Sequence, residues 1–323
     1  MAGWSDRPLT DCAKPEWSDI VVAGALLVVC VGLHIAAMFP VYPGNPPAAV
    51  VSVPYQLAVY VTLEVGWALA AALVLSRASV RGGVALGAGI GGVELGFLIA
   101  DLASAGQVSS RSTPGVWLAL AALGVGFAGV LLAASAVPMG KPQLSHYDEP
   151  LHPRAIVQVV VALVAVAAFL PSWDSYHVVT STGQSATVTL GNAFSQPGGI
   201  MAGEVVSALA IGALSILAAF WAPLAVGAWL TAGVVTAMTS QLISAAVQVH
   251  QRVAAPASGD RASLALTGYW TLDVAATVAL AGLALWTGLD ARKAANKQFS
   301  PRLVQGEEPG GEWPSVDGWP GQN

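Results

Sequence analysis

The sequence predicts an all-α integral membrane protein, a polytopic bundle of about eight transmembrane helices built as a tandem repeat of two four-helix units. Three observations lead there. Hydrophobic residues make up 55% of the chain and charged residues only 10%, against about 25% charged in an ordinary soluble domain. Eight apolar runs approach the roughly 20 residues that a helix needs to cross a bilayer. Lys and Arg, finally, fall almost entirely between alternate runs, the asymmetry that orients membrane helices.

The runs cover about 20–39, 54–76, 83–104, 115–136, 155–171, 200–221, 223–247 and 268–289. Only Pro223, after Trp221, separates the sixth from the seventh, so 200–247 reads as two spans or as one long helix. With the N-terminus in the cytoplasm, ten basic residues lie inside (Arg7, Lys14, Arg77, Arg81, Lys141, Arg154, Arg292, Lys293, Lys297 and Arg302) and three outside (Arg111, Arg252 and Arg261). Trp117 and Trp270 then begin helices at the outer face, where indole rings suit the interface. Both termini are expected in the cytoplasm of a bacterial plasma membrane.

The organisation follows from these runs. Residues 1–19 form a polar cytoplasmic segment and not a cleavable leader. Residues 20–145 form the first four-helix half. Residues 146–291 form the second, with an extracytoplasmic loop at 172–199 in which Tyr176–Leu190 reads as a hairpin around Gly183. Residues 292–323 read as a disordered cytoplasmic tail carrying Trp313-Pro314 and Trp319-Pro320. The repeat rests on matched helices. Gly115-x-Trp117 and Gly268-x-Trp270 open runs with seven identities in 22 positions, the third and seventh runs share six, and the first and fifth close on Pro40 and Pro171. Four helices is an even number, so the two copies share one orientation.

Function classes are excluded more readily than assigned. No basic stripe could track nucleic acid. No H-E-x-x-H, G-x-S-x-G, Walker loop or C-x-x-C is present, and no catalytic, cofactor-binding or metal-ligating set is expected. Cys12 and Cys30 fall in different phases and should not pair. Ionisable groups at membrane depth remain, and these are costly enough to need a reason. Glu64 and Glu94 lie near the midplane, and Asp101 follows Glu94 by seven residues on the same helical face. These three are the candidate proton or cation site. His34, Glu204 and Asp273, nearer the outer surface, are weaker candidates. Gly83, Gly87 and Gly91 form a small-residue ridge beside Glu94 that admits a neighbouring helix. A short link makes the second and third helices antiparallel neighbours, which should bring the Glu64 and Glu94 carboxyls together directly or through one water. The expected function is transport of a small cation-coupled or lipid-like substrate. The alternative is a non-catalytic subunit or scaffold of an envelope complex. Lipid is the expected surroundings, and a membrane-protein partner would meet the outer loop or the tail.

Overall fold

The computed structural model describes residues 17–42, 48–108, 114–142, 153–179, 182–189, 193–251 and 261–299. Its helices are α1 (Trp17–Ala37), α2 (Pro54–Leu75), α3 (Val80–Val108), α4 (Pro114–Ala136), α5 (Pro153–Phe169), α6 (Gly198–Ala219), α7 (Leu224–Gln251) and α8 (Gly268–Phe299). Seven are long and apolar enough to cross a membrane; α5 is a shorter apolar helix of 17 residues, about 25 Å long at 1.5 Å per residue. The fold is thus an all-α polytopic membrane bundle. Large apolar side chains such as Val65, Leu131, Leu209, Val278 and Leu285 stand on its outside, where only hydrocarbon would receive them without cost.

The run at 200–247 is two helices. Helix α6 ends at Ala219 with Phe220 as its cap, and Pro223, which has no amide hydrogen to continue it, opens the next turn. Between them Trp221–Ala222 pairs with Lys141–Pro142, and the Trp221 indole donates to the Met139 carbonyl at 2.9 Å. The connection from α2 to α3 is tight: Arg77 adopts a left-handed φ of 58°, and the Ser79 hydroxyl accepts from the Gly82 amide at 3.1 Å.

The helices form two four-membered rings. In the first, α1 packs on α2 and α4, and α3 closes against both of those. In the second, α5 packs on α6 and α8, and α7 closes the ring. The rings meet through α3 with α6 and α7, and through α2 with α7. At the centre of that seam α3 and α7 touch backbone to backbone. A Cβ on Gly89 would meet the Leu230 carbonyl and Gly233 Cα, and one on Gly233 would meet the Leu86 carbonyl and Gly89 Cα.

Contacts recur between the rings. Gly83 lies on the Ala70 carbonyl, and Gly227 lies on the Ala218 carbonyl; Gly66 faces Thr236, and Gly92 faces Leu214. One displacement along the chain carries Gly83, Gly89 and Gly92 onto Gly227, Gly233 and Thr236. A second carries Gly66 and Ala70 onto Leu214 and Ala218. The buried positions of α1 map onto those of α5 in the register that superimposes Pro40 on Pro171: Gly24, Leu27, His34 and Ala37 onto Ala155, Gln158, Ala165 and Ala168. For α4 and α8 the buried set Ala119, Ala122, Leu123 and Gly126 maps onto Asp273, Ala276, Thr277 and Leu280. That register is one residue away from the one that aligns the two Gly-x-Trp openings.

After α5, Asp174–Val179 pairs antiparallel with Ser185–Thr189, turning through Gly183 at φ +81°. The hairpin read from the sequence is therefore present. It gains a third strand, Arg261–Leu266, on its other edge. Helix α8 continues through the first eight residues of the segment 292–323 to Phe299, which corrects where the tail begins. Trp313, Trp319 and Cys12 lie outside the described residues.

Candidate functional site

Glu64 on α2 and Glu94 on α3 are both buried, at 9% and 4% exposure. They do not meet carboxyl to carboxyl. His34 of α1, 1% exposed, stands between them. Its Nδ1 is 3.2 Å from Glu64 Oε1 and its Nε2 is 3.1 Å from Glu94 Oε1. The expected juxtaposition of the two acids is thus mediated by an imidazole. A carboxylate on each side of one ring is a stable arrangement where two bare carboxylates are not.

Each side chain arrives for a local reason. His34 lies four residues after Cys30, whose Sγ is 3.8 Å from Nδ1; the spacing puts both on the face that α1 turns towards the ring centre. His34 is less than a turn from the end of α1, yet it is not at the surface. After Ala37 the chain packs back over the ring, burying Met38 and Val50, with the Val51 amide bonded to the Met38 carbonyl. Glu64 and Trp67 share one face of α2. Trp67 is fully buried, and its Nε1–H donates to Glu94 Oε2 at 2.8 Å.

The glycine ridge of α3 serves this indole as much as the approach of a helix. A Cβ on Gly87 or Gly91 would lie 3.1 or 3.2 Å from Trp67 ring atoms, and one on Gly126 of α4 would lie 3.0 Å away. Glu94, Trp67, three glycines and Cys30 thus form one packed unit around His34. Among the described residues, the ion pairs of Glu64 and Glu94 are with His34 alone. Neither Lys nor Arg enters the site. One imidazolium balances one carboxylate, so neutrality requires a proton or a cation for the other.

The remaining sequence candidates are not brought to this cluster. Asp101 shares a nominal face with Glu94 but lies two turns further along α3, about 10 Å at 1.5 Å per residue, and is exposed. That stretch of α3 packs on α6 through Gly96 and Gly203. Glu204 is half-buried on α6. Asp273 is fully buried on α8, and among the described residues neither carboxyl oxygen has a hydrogen-bond partner. Two polar groupings escaped the sequence reading. Gln158 Nε2 donates to the Ser215 carbonyl and to Thr231 Oγ1, each at 2.9 Å. Arg154 on α5 pairs with Asp290 on α8 at 3.5 Å. Among the described residues no three His, Cys, Asp or Glu side chains are arranged to hold a metal ion. Comparison of the chain with family models, curated proteins and solved structures returns no match.

Proposed function

We propose that the protein is a proton-carrying membrane transporter whose first helical ring holds the carrier site, with Glu64 and Glu94 as the proton-binding carboxyls and His34 as the base between them. We read the chain as a tandem duplication, and one comparison between its copies carries the proposal. In the registers fixed by the shared helix contacts, His34, Glu64 and Glu94 correspond to Ala165, Gly212 and Met238. The same ring therefore closes without the charged cluster. A bundle that packs well on Ala, Gly and Met has no structural need for two buried acids and a histidine, whose desolvation costs several kcal/mol per ion. Buried ionisable groups retained at such cost inside a membrane are the signature of proton or ion pathways. Asp101 has no part in this site.

The substrate class that fits is a small molecule or lipid moved with protons. The bias of basic residues supports a cytoplasmic N-terminus, and the Ala/Gly/Arg-rich composition supports a bacterial plasma membrane. The test is proton movement. Protein in vesicles loaded with a pH-sensitive dye and energised by a potassium diffusion potential should acidify the lumen faster than empty vesicles, and Glu64→Gln should remove the difference. Equal rates for wild type and empty vesicles would refute proton carriage.

The backbone-to-backbone seam at Gly89 and Gly233 favours a second reading. An interior closed by glycines suits a rigid scaffold, which would meet a membrane-protein partner through the outer three-stranded sheet or the C-terminal segment. A scaffold predicts no proton flux, and the same vesicles separate the two.

A further inference from the structure

We infer that Glu64 is the carboxyl that exchanges the proton and that Trp67 is a positioning residue that keeps Glu94 as the fixed anion. This rests on the proton-carrying reading of the site. The two acids are not equivalent. Glu94 meets His34 through Oε1 and the indole N–H through Oε2. Indole nitrogen can only donate, so that oxygen must accept, and a fixed hydrogen-bond donor beside the imidazole favours the charged form. Among the described residues Glu64 has the His34 ring at ion-pair distance, and neither of its oxygens has a hydrogen-bond partner. With a single imidazolium to share, the carboxyl with fewer donors takes the proton. Cys30 is the remaining titratable neighbour on α1. From the helices packed around the site, α2 adds the half-buried Tyr60 one turn before Glu64, α4 has no ionisable residue, and that of α7 is His250 at its far end.

A second observation ties the indole to the anion. At the positions matching Trp67, Gly87, Gly91 and Gly126, the second ring has Ser215, Thr231, Val235 and Leu280, and at the position of Glu94 it has Met238. There Gln158 donates to the Ser215 carbonyl and to Thr231 Oγ1. Where the carboxylate is absent, so are the indole and its glycine slot. Trp67 therefore belongs to the charge and not to the bundle.

Dicyclohexylcarbodiimide reads the assignment directly, because it adds to protonated carboxyls in apolar surroundings. Wild-type protein in lipid, labelled and mapped by peptide mass spectrometry, should carry the adduct on Glu64 over Glu94 by about tenfold or more. Trp67→Phe keeps a ring in the slot and removes the donor, so the two adducts should come within about threefold of each other. Adduct mainly on Glu94, none on Glu64, or a ratio unchanged by Trp67→Phe overturns the inference. The wild-type result stands even if the variant does not fold. Labelling as expected in protein that moves no protons would leave this assignment intact and remove only the transport reading.

Discussion

Gly89 of α3 and Gly233 of α7 each occupy the space where the other's side chain would be, with a Cβ on either lying 2.9 Å from the Cα of its partner. The contact is self-complementary: Leu86 and Ile90 stand to Gly233 as Leu230 and Val234 stand to Gly89. It forms the centre of the seam between the rings.

Substitution there should be costly because the obstructing atoms are backbone. Gly233→Ala should destabilise by about 1–3 kcal/mol or more, the range for forced overpacking, and Gly89→Ala similarly. Gly282→Ala on α8, where a Cβ meets nothing within 4 Å, should be neutral or slightly stabilising. Thermal unfolding in one detergent compares the three. Equal melting temperatures would mean that the seam is looser than described.

If the charged cluster serves function and not packing, the first ring should accept the second ring's residues. The variant His34→Ala/Glu64→Gly/Glu94→Met should reach the membrane and be more stable than removal of Glu94 alone, its remaining cost being the Trp67 N–H left without its acceptor. Removing Glu94 alone should cost several kcal/mol, because His34 and Trp67 then lose their shared acceptor. A triple variant less stable than the single one would show that the cluster holds the ring together.

The orientation can be checked from outside. Single cysteines at Ser185, in the outer sheet, and at Ser315, beyond α8, should differ in access to an impermeant maleimide: the first labelled in intact cells, the second only after permeabilisation. Labelling of both, or of the second alone, would reverse or break the N-inside topology.

Much of this fold is legible in the sequence because a membrane helix is dictated locally, by a run of apolar residues of sufficient length. The break before α7 is local too, written by Pro223. Depth is arithmetic along a helix, so Glu64 and Glu94 could be placed near one another. What was not legible depended on partners distant in the chain. Arg261–Leu266 completes a sheet with a strand some ninety residues earlier, as in the pair Ser175 and Ala265, and its own sequence carries no sign of that. His34 reads as interfacial because α1 stops at Ala37; nothing local says that the chain beyond it buries Met38 and Val50 and that His34 is itself buried. Asp101 was grouped with Glu94 by helical face alone, while α6 takes over that part of α3. The Gly-x-Trp alignment and the alignment of buried positions differ by one residue, because burial is carried by Ala119 and Asp273 and not by the tryptophans.

The central claim is that His34, Glu64 and Glu94 bind and release protons inside the membrane. Infrared difference spectroscopy on protein in lipid, between high and low pH, tests it without knowledge of any substrate. Wild type should gain a protonated-carboxyl band reversibly as pH falls, and that band should be missing from the folded His34→Ala/Glu64→Gly/Glu94→Met variant, while any signal from Asp273 stays common to both. No pH-dependent carboxyl band in wild type, or the same band in the variant, would contradict the account.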